Sequence, residues 1–247
     1  MRPALSTPWC GLALGAALLV SMPQPLLAQS PDRDSIEAIV RDYLLREPEV
    51  VIEAIEAYRA AQETARNEAL QTALAEHRDA LTAADHPSQG PSNPAVTVVE
   101  FFDYRCGFCR RMVPAIASLM ETNDDVRRVF IEFPVLGPDS LRAAQAALAV
   151  WDQAPEAYPA FHDAAMTADD LSPPALLRMA EELGLDTERM LRDMQSEAVR
   201  ERLQANYQLA TAIGVEGTPA YVIGDRFLPG AVPLQQLQAA VDAAREG

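Results

Sequence analysis

The chain has 247 residues and a formal net charge of −16, with 36 acidic side chains against 20 basic ones, and every basic residue apart from the histidines is arginine. That balance argues against nucleic acid or anionic lipid as a partner. The length suits one sizeable domain plus an appendage.

The first residues follow the pattern of a secretory leader. Arg2 supplies a positive end, Leu12–Val20 an apolar stretch too short to span a bilayer, and Leu26-Leu27-Ala28 a cleavage site. Residues 1–28 are expected to be removed, Cys10 with them, which sends the product to an oxidising compartment, the periplasm.

Residues 30–85 read as helical. Asp34 with Glu37 three residues later makes a capping signature, and Ile36, Ile39, Val40, Tyr43 and Leu44 fall on one face. Pro48 suits the first position of a second helix, along which Val51, Ile52, Ile55 and Tyr58 continue the apolar stripe. With no strand or turn-rich segment beside them, these helices cannot enclose a core alone. Their stripe needs the rest of the chain or another copy of itself, and self-association through residues 30–85 is the preferred reading.

Residues 86–94 (HPSQGPSNP) read as a linker. The pattern beyond is mixed α/β. Ala95–Asp103 is apolar enough for a strand buried on both faces, Cys106–Glu121 reads as a helix, and Val126–Val135 as a second strand. A long helical stretch, Ser140–Ile213, follows, punctuated at Pro155, at Ser172-Pro173 and at Gly184. Ala220–Ile223 is a short strand, Gly224-Asp225 a turn, Arg226–Leu228 the hairpin partner, and Leu234–Arg245 a closing helix. Trp151, Tyr158 and Phe161 are assigned to the core of the helical stretch. Met112, Met120, Met166, Met179, Met190 and Met194 recur at helical spacing among apolar neighbours and are assigned to packing rather than to copper.

Once the leader is gone, Cys106-Gly107-Phe108-Cys109 holds the only cysteines, directly after an apolar strand and at the head of a helix. Backbone N–H groups of a first helical turn, with the helix dipole, favour a thiolate over a thiol there. Cys106 is therefore the expected nucleophile and Cys109, one turn in, the resolving thiol. Arg105, Arg110 and Arg111 would add positive potential if they point toward the pair. A stabilised thiolate is both a ready attacker and a good leaving group. A zinc site would need two further ligands, and His77, His86 and His162 include no pair at ligand spacing. An inert disulfide across so short a loop would constrain the unfolded chain little. Copper(I) held by the two thiolates is the more serious alternative.

A second signal is Gly217-Thr218-Pro219, immediately before the strand Ala220–Ile223. A proline at a strand start forfeits no ladder bond, and a cis turn there would leave the Thr218 backbone open to pair with an extended peptide. With Phe101-Phe102-Asp103-Tyr104-Arg105-Cys106-Gly107-Phe108-Cys109 and the helical stretch between the two motifs, residues 94–247 resemble the DsbA family of thioredoxin-fold proteins. The resemblance implies an α/β thioredoxin fold with an inserted helical subdomain at about residues 138–213. It makes Thr218-Pro219 the cis-proline loop facing the cysteines, Gly107 and Phe108 part of the substrate-facing surface, and Pro114 the kinking proline of the active-site helix. Glu100, six residues before Cys106, matches a buried acid proposed to move protons for the resolving cysteine; an ordinary solvent-facing strand carboxylate is the alternative.

The helical segment, with Tyr43-Leu44-Leu45-Arg46-Glu47-Pro48-Glu49-Val50, further resembles the copper-sensitivity suppressor C proteins. That resemblance implies a trimer acting as a disulfide isomerase, with no bound cofactor and with a membrane-bound reductase as partner. One departure matters. Strong oxidases of the DsbA type carry a histidine between the cysteines, and Phe108 cannot do its work, which favours isomerase or reductase duty over disulfide donation. A DsbA-like oxidase and a copper(I) carrier stand as alternatives.

Overall fold

The structure, a computed structural model, describes residues 32–246, so the leader and Cys10 lie outside the described residues. The chain divides into two compact units, the first ending at Tyr58 and the second starting at Arg59.

In the first unit, α1 (Arg33–Arg46) has its N-cap two residues before the expected one. Asp32 is the N-cap and its Oδ1 accepts the Ser35 N–H at 2.8 Å, while Glu37 pairs instead with Arg33 at 2.8 Å. An aspartate three residues ahead of a free N–H satisfies an orphan donor of the first turn, which Asp34 cannot reach from inside the helix. Pro48 lies in the turn just before α2 (Glu49–Glu76), where its missing N–H costs nothing. The apolar stripe is exposed from end to end, from Ile36 at 46 % and Ile39 at 66 % to Ile55 at 45 % and Tyr58 at 65 %.

The second unit is built on a five-stranded sheet of order β1-β3-β2-β4-β5. β2 (Val96–Phe102) is its centre, parallel to β3 (Val126–Glu132) and antiparallel to β4 (Ala220–Ile223), which pairs with β5 (Arg226–Pro229). All of β2 except Thr97 is buried, as its continuous apolar run requires. The segment read as a linker contributes the edge strand β1 (Ser88–Gln89), antiparallel to β3. Gly90 makes this possible: its φ is +114°, and a Cβ there would lie 2.4 Å from the Val126 carbonyl oxygen.

One face of the sheet carries α4 (Gly107–Thr122) and α10 (Leu234–Glu246) over Val96, Val98, Val126, Tyr221 and Ile223. The expected helical insertion consists of α5 (Pro138–Gln153), a short 3-10 turn at Pro155–Ala157, α6 (Tyr158–Thr167), α7 (Pro173–Glu182), α8 (Thr187–Asp193) and α9 (Glu197–Ala212). These helices gather around Phe102, Tyr104 and Phe130, with Tyr158, Phe161, Met166 and Met190 inside and Trp151 half-buried. The opposite face, through Val99, Phe101, Val129, Ile131 and Val222, is covered by Leu209 and Ile213 together with Leu70, Ala73 and Leu74 of α2 and Leu81 of α3 (Arg78–Leu81).

The helical segment therefore does not end where its composition does. Its stripe residues up to Tyr58 are exposed, whereas Leu74 and Leu81 are 5 % and 3 % exposed in a core shared with the sheet. Leu74→Ala is expected to lower the unfolding free energy by about 2–4 kcal/mol, read from denaturant melts of the whole chain. A change below about 0.5 kcal/mol would mean that α2 contributes no core to this unit.

Candidate active site

Asp103 ends β2 and turns the chain toward the cysteines. Its buried carboxylate accepts four hydrogen bonds: from the N–H groups of Arg105 at 2.7 Å, Val135 at 2.8 Å and Leu136 at 2.9 Å, and from Ser140 Oγ at 2.6 Å. Its carbonyl accepts the Cys106 N–H at 3.0 Å. One residue thus ties the cysteine loop to the connection between β3 and α5. This also explains why β3 stops at Glu132 rather than at Val135: Pro134 has no N–H, and the next two donors are taken by Asp103.

Cys106 is the N-cap of α4, with extended backbone (φ −77°, ψ 110°) and a sulfur that accepts the Cys109 N–H at 3.4 Å. The same thiol donates to the Thr218 carbonyl at 3.2 Å, and the Thr218–Pro219 peptide is cis. Cys106, Cys109, Thr218 and Pro219 are thereby brought together across 112 positions of sequence. Gly107 is exposed, and the 57 %-exposed Phe108 lies under the Arg111 guanidinium, 4.2 Å from its ring centroid. Arg110 turns to the Asp169 carboxylate at 2.9 Å and the Ala168 carbonyl at 2.5 Å. Among the described residues, none of the three flanking arginines donates a hydrogen bond to either sulfur. Pro114 lies inside α4, where the helix loses one backbone bond.

Cys109 is buried, and this pushes its thiol up; a backbone bond from Asp103 offsets part of the shift, while Cys106 and the charge of Glu100 add to it. Glu100 itself stands opposite Tyr221 in the β2–β4 ladder, 2 % exposed. Arg128 donates to its Oε2 from Nε at 2.9 Å and from Nη2 at 2.6 Å, and the Tyr221 hydroxyl donates to Oε1 at 3.1 Å. The solvent-facing alternative for Glu100 does not hold: the carboxylate is buried and both oxygens are engaged.

From Arg128 a buried polar chain continues into the helical insertion. Arg128 Nη2 lies 3.3 Å from His162 Nε2, and His162 Nδ1 lies 3.3 Å from Tyr104 Oη. A guanidinium only donates, so Nε2 accepts. Burial, and then the Arg128 charge, hold His162 well below its usual range and therefore neutral, so its proton is on Nδ1 and goes to Tyr104. Tyr104 then donates to Glu132 Oε1 at 3.0 Å, where the Tyr158 hydroxyl also donates at 2.7 Å. From Arg128 through His162 and Tyr104 the donors point one way, toward Glu132, on which Tyr158 converges from the other side. Burial pushes the Glu132 carboxyl up to about 8 against the pull of the two hydroxyls, with the Asp103 charge adding to the rise.

The sequence reading gave Asp103, Arg128, Glu132 and His162 no role. Two signals were available. An aspartate shortly before a helix start is turn chemistry, and the same-face pair Arg128 and Glu132 inside the apolar run Val126–Phe133 demands buried partners.

A central strand ending in a Cys-x-x-Cys helix cap, against a Thr-Pro loop entering the antiparallel neighbour, defines a thioredoxin-fold protein. The chain belongs to the family of DSBA-like thioredoxin domains, which it matches over residues 97–242, and residues 32–65 match the N-terminal domain of the copper resistance protein ScsC. Among solved structures it is similar to a thioredoxin-like oxidoreductase from Silicibacter pomeroyi, with 41 % identity and a TM-score of 0.65 over 69 % of this chain and 98 % of that one. The catalytic domain of Proteus mirabilis ScsC is 32 % identical, with a TM-score of 0.65 over 72 % of this chain and 99 % of that one. A curated relative, the Na(+)/H(+) antiporter NhaA 3 of Salinispora tropica, is 33 % identical over 159 residues, 63 % of this chain. The chain spans only about a quarter of the length of that antiporter (24 %).

Two predictions follow from the buried groups. The unfolded chain keeps Glu132 near 4.5 and the folded chain holds it at about 8, so folding takes up a proton between those values. Stability should fall as pH rises through that window and level off above it, by an amount on the order of a few kcal/mol. Glu132→Gln should flatten the fall, measured as urea midpoints from about pH 5 to about pH 8; an unchanged slope would assign the dependence elsewhere. Asp103→Ala strands three part-buried N–H groups and a buried hydroxyl and should cost on the order of 3 kcal/mol. Asp103→Asn, which keeps an acceptor oxygen, should cost less.

Proposed function

We propose that the protein is a periplasmic thiol:disulfide oxidoreductase whose working pair is Cys106 and Cys109, and that it rearranges or reduces wrongly formed disulfides in other proteins. The observation that carries this is the sulfur of Cys106, which caps α4, accepts the Cys109 N–H and sits 3.2 Å from the Thr218 carbonyl. First-turn amides favour a sulfur anion at a helix N-cap, and the backbone at Thr218 and Pro219 is where an extended substrate would lie against it.

The Cys106 thiolate attacks one sulfur of a substrate disulfide. A Cys106–substrate bond forms, the substrate disulfide breaks, and its second sulfur leaves as thiolate. In rearrangement, another thiolate of the same substrate attacks its own sulfur in the adduct, forming a new substrate disulfide and freeing Cys106. In reduction, Cys109 gives up its proton and attacks Cys106, releasing the substrate thiol and leaving a Cys106–Cys109 disulfide, which a membrane-bound dithiol reductase reopens. Burial makes that proton hard to lose. Glu100, buried and near enough for its charge to bear on Cys109, is the group to which we assign the exchange. No bound cofactor enters these steps.

The exposed stripe from Ile36 to Tyr58 supports self-association, with a trimer favoured, because contiguous apolar surface of this kind marks an interface. Several active sites then face a shared substrate, which suits rearrangement over net oxidation. The test compares the mature chain with one lacking everything before Arg59, a cut that leaves Leu70, Leu74 and Leu81 in their core. The mature chain should run as an oligomer in light scattering and restore activity to a scrambled multi-disulfide substrate, while the shortened one should be a monomer that reduces disulfides but restores little. Equal recovery by the two would overturn the isomerase assignment, and a monomeric mature chain would overturn the assembly.

A further inference from the structure

Beside the Thr218–Pro219 loop the second unit holds a groove of about 890 Å³, within the size range of binding clefts. Its floor is apolar: Pro219, Ala220, Phe227 and Pro229. Its far wall is α2, through Gln62, Glu63, Arg66 and Asn67, all exposed and spaced to share one helix face above Leu70. We propose that this stretch of α2 closes one side of a substrate subsite, and that the subsite takes an extended segment of the polypeptide whose disulfide Cys106 attacks.

The proposal rests on the oxidoreductase reading above and adds a surface to it. The groove borders the reacting centre at Thr218, which lines it and whose carbonyl lies 3.2 Å from the Cys106 sulfur. A chain held at that sulfur and turned toward Thr218 has the groove as its next surface. The near wall is bare backbone: at Gly214, Gly217 and Gly230 an added Cβ would meet nothing within 4 Å. Glycine backbone above an apolar floor lets an extended chain approach closely, with alternate side chains dropping toward Phe227. A small ligand needs no such length.

Both walls are fixed. Gly230 N–H donates to the Pro219 carbonyl at 2.8 Å, and Gln71 Nε2 donates to the Asp225 carbonyl at 2.9 Å, while Leu70, Ala73 and Leu74 pack in one core with Val222 and Phe227. Among the described residues, the one ion pair across the mouth is Arg66–Glu216 at 3.9 Å, with both side chains more than three-quarters exposed. Such a pair yields readily to an incoming chain. α2 thus does more than join an apolar stripe to the domain that bears the cysteines.

The test uses the full mature chain carrying Cys109→Ala, so that the adduct is trapped. Two probes carry the same thionitrobenzoate leaving group on a cysteine sulfur: a decapeptide with apolar residues flanking its cysteine, and capped cysteine alone. In each, the Cys106 thiolate attacks the cysteine sulfur, forms the mixed disulfide and expels coloured thionitrobenzoate. The peptide should react at least tenfold faster than capped cysteine. Glu63→Trp and Asn67→Trp, each filling the groove from α2, should cut that ratio at least fivefold. A ratio left at the parent value in both variants, whether rates stay the same or fall equally for both probes, overturns the α2 subsite while leaving the oxidoreductase reading intact. A parent protein that reacts with either probe no faster than free cysteine does overturns that reading, and the subsite with it.

Discussion

The carboxylate of Asp103 is where the sheet, the cysteine loop and the helical insertion meet. A strand buried on both faces must hand its chain to a helix whose first residue is a reactive sulfur, and the handover exposes backbone donors that have no ladder to join. Asp103 accepts the donors of Arg105, Val135 and Leu136 and the hydroxyl of Ser140, while its own carbonyl fixes the Cys106 N–H. Hydrogen bonds to a buried charge are among the stronger ones a protein makes. The position of Cys106 opposite Thr218 follows from this anchoring on one side and from the β2–β4 ladder on the other.

Behind the sulfur pair the interior is polar, and its polarity is organised. Glu100 and Arg128 form a buried ion pair, and such pairs add little net stability while being costly to break. Each remaining donor or acceptor is handed on, through His162 and Tyr104 to Glu132 and Tyr158, and no buried side-chain nitrogen or oxygen among the described residues lacks a partner. The aromatic rings of Phe102 and Phe130 pack edge-on against His162 at 4.6 and 4.8 Å between centroids, which keeps water out of the chain. Low dielectric makes each of these bonds stronger and each vacancy dearer. Burial is the main cause that raises the Cys109 thiol, and the charge of Glu100, though paired with Arg128, adds to it in the same direction.

Much of this was legible in the residues. The apolar run before Cys106, the Pro and Gly punctuation of the helical insertion and the Thr-Pro step before β4 are local patterns with local causes. What escaped were consequences of packing. Nothing near Ser88-Gln89 announces a strand, because β1 exists through its pairing with β3 and through the room that Gly90 leaves for the Val126 carbonyl. The distal half of α2 looks like a continuation of an exposed, alanine-rich helix, yet Leu74 is in the core because it meets Val99 and Phe101 across the sheet. Glu132 reads as the polar end of a strand until Tyr104 and Tyr158, which are 28 and 26 positions away, close over it.

Gly107 and Phe108 stand apart from all of this. Both are exposed, and Phe108 lies under the Arg111 guanidinium. Their neighbours Cys106 and Cys109 are buried and tied to Asp103, Thr218 and the first turn of α4. The dipeptide can therefore drift in evolution, or be swapped by an engineer, with little penalty to folding. The scaffold leaves open to selection the two letters between the sulfurs, and seals away the ones that hold them in position.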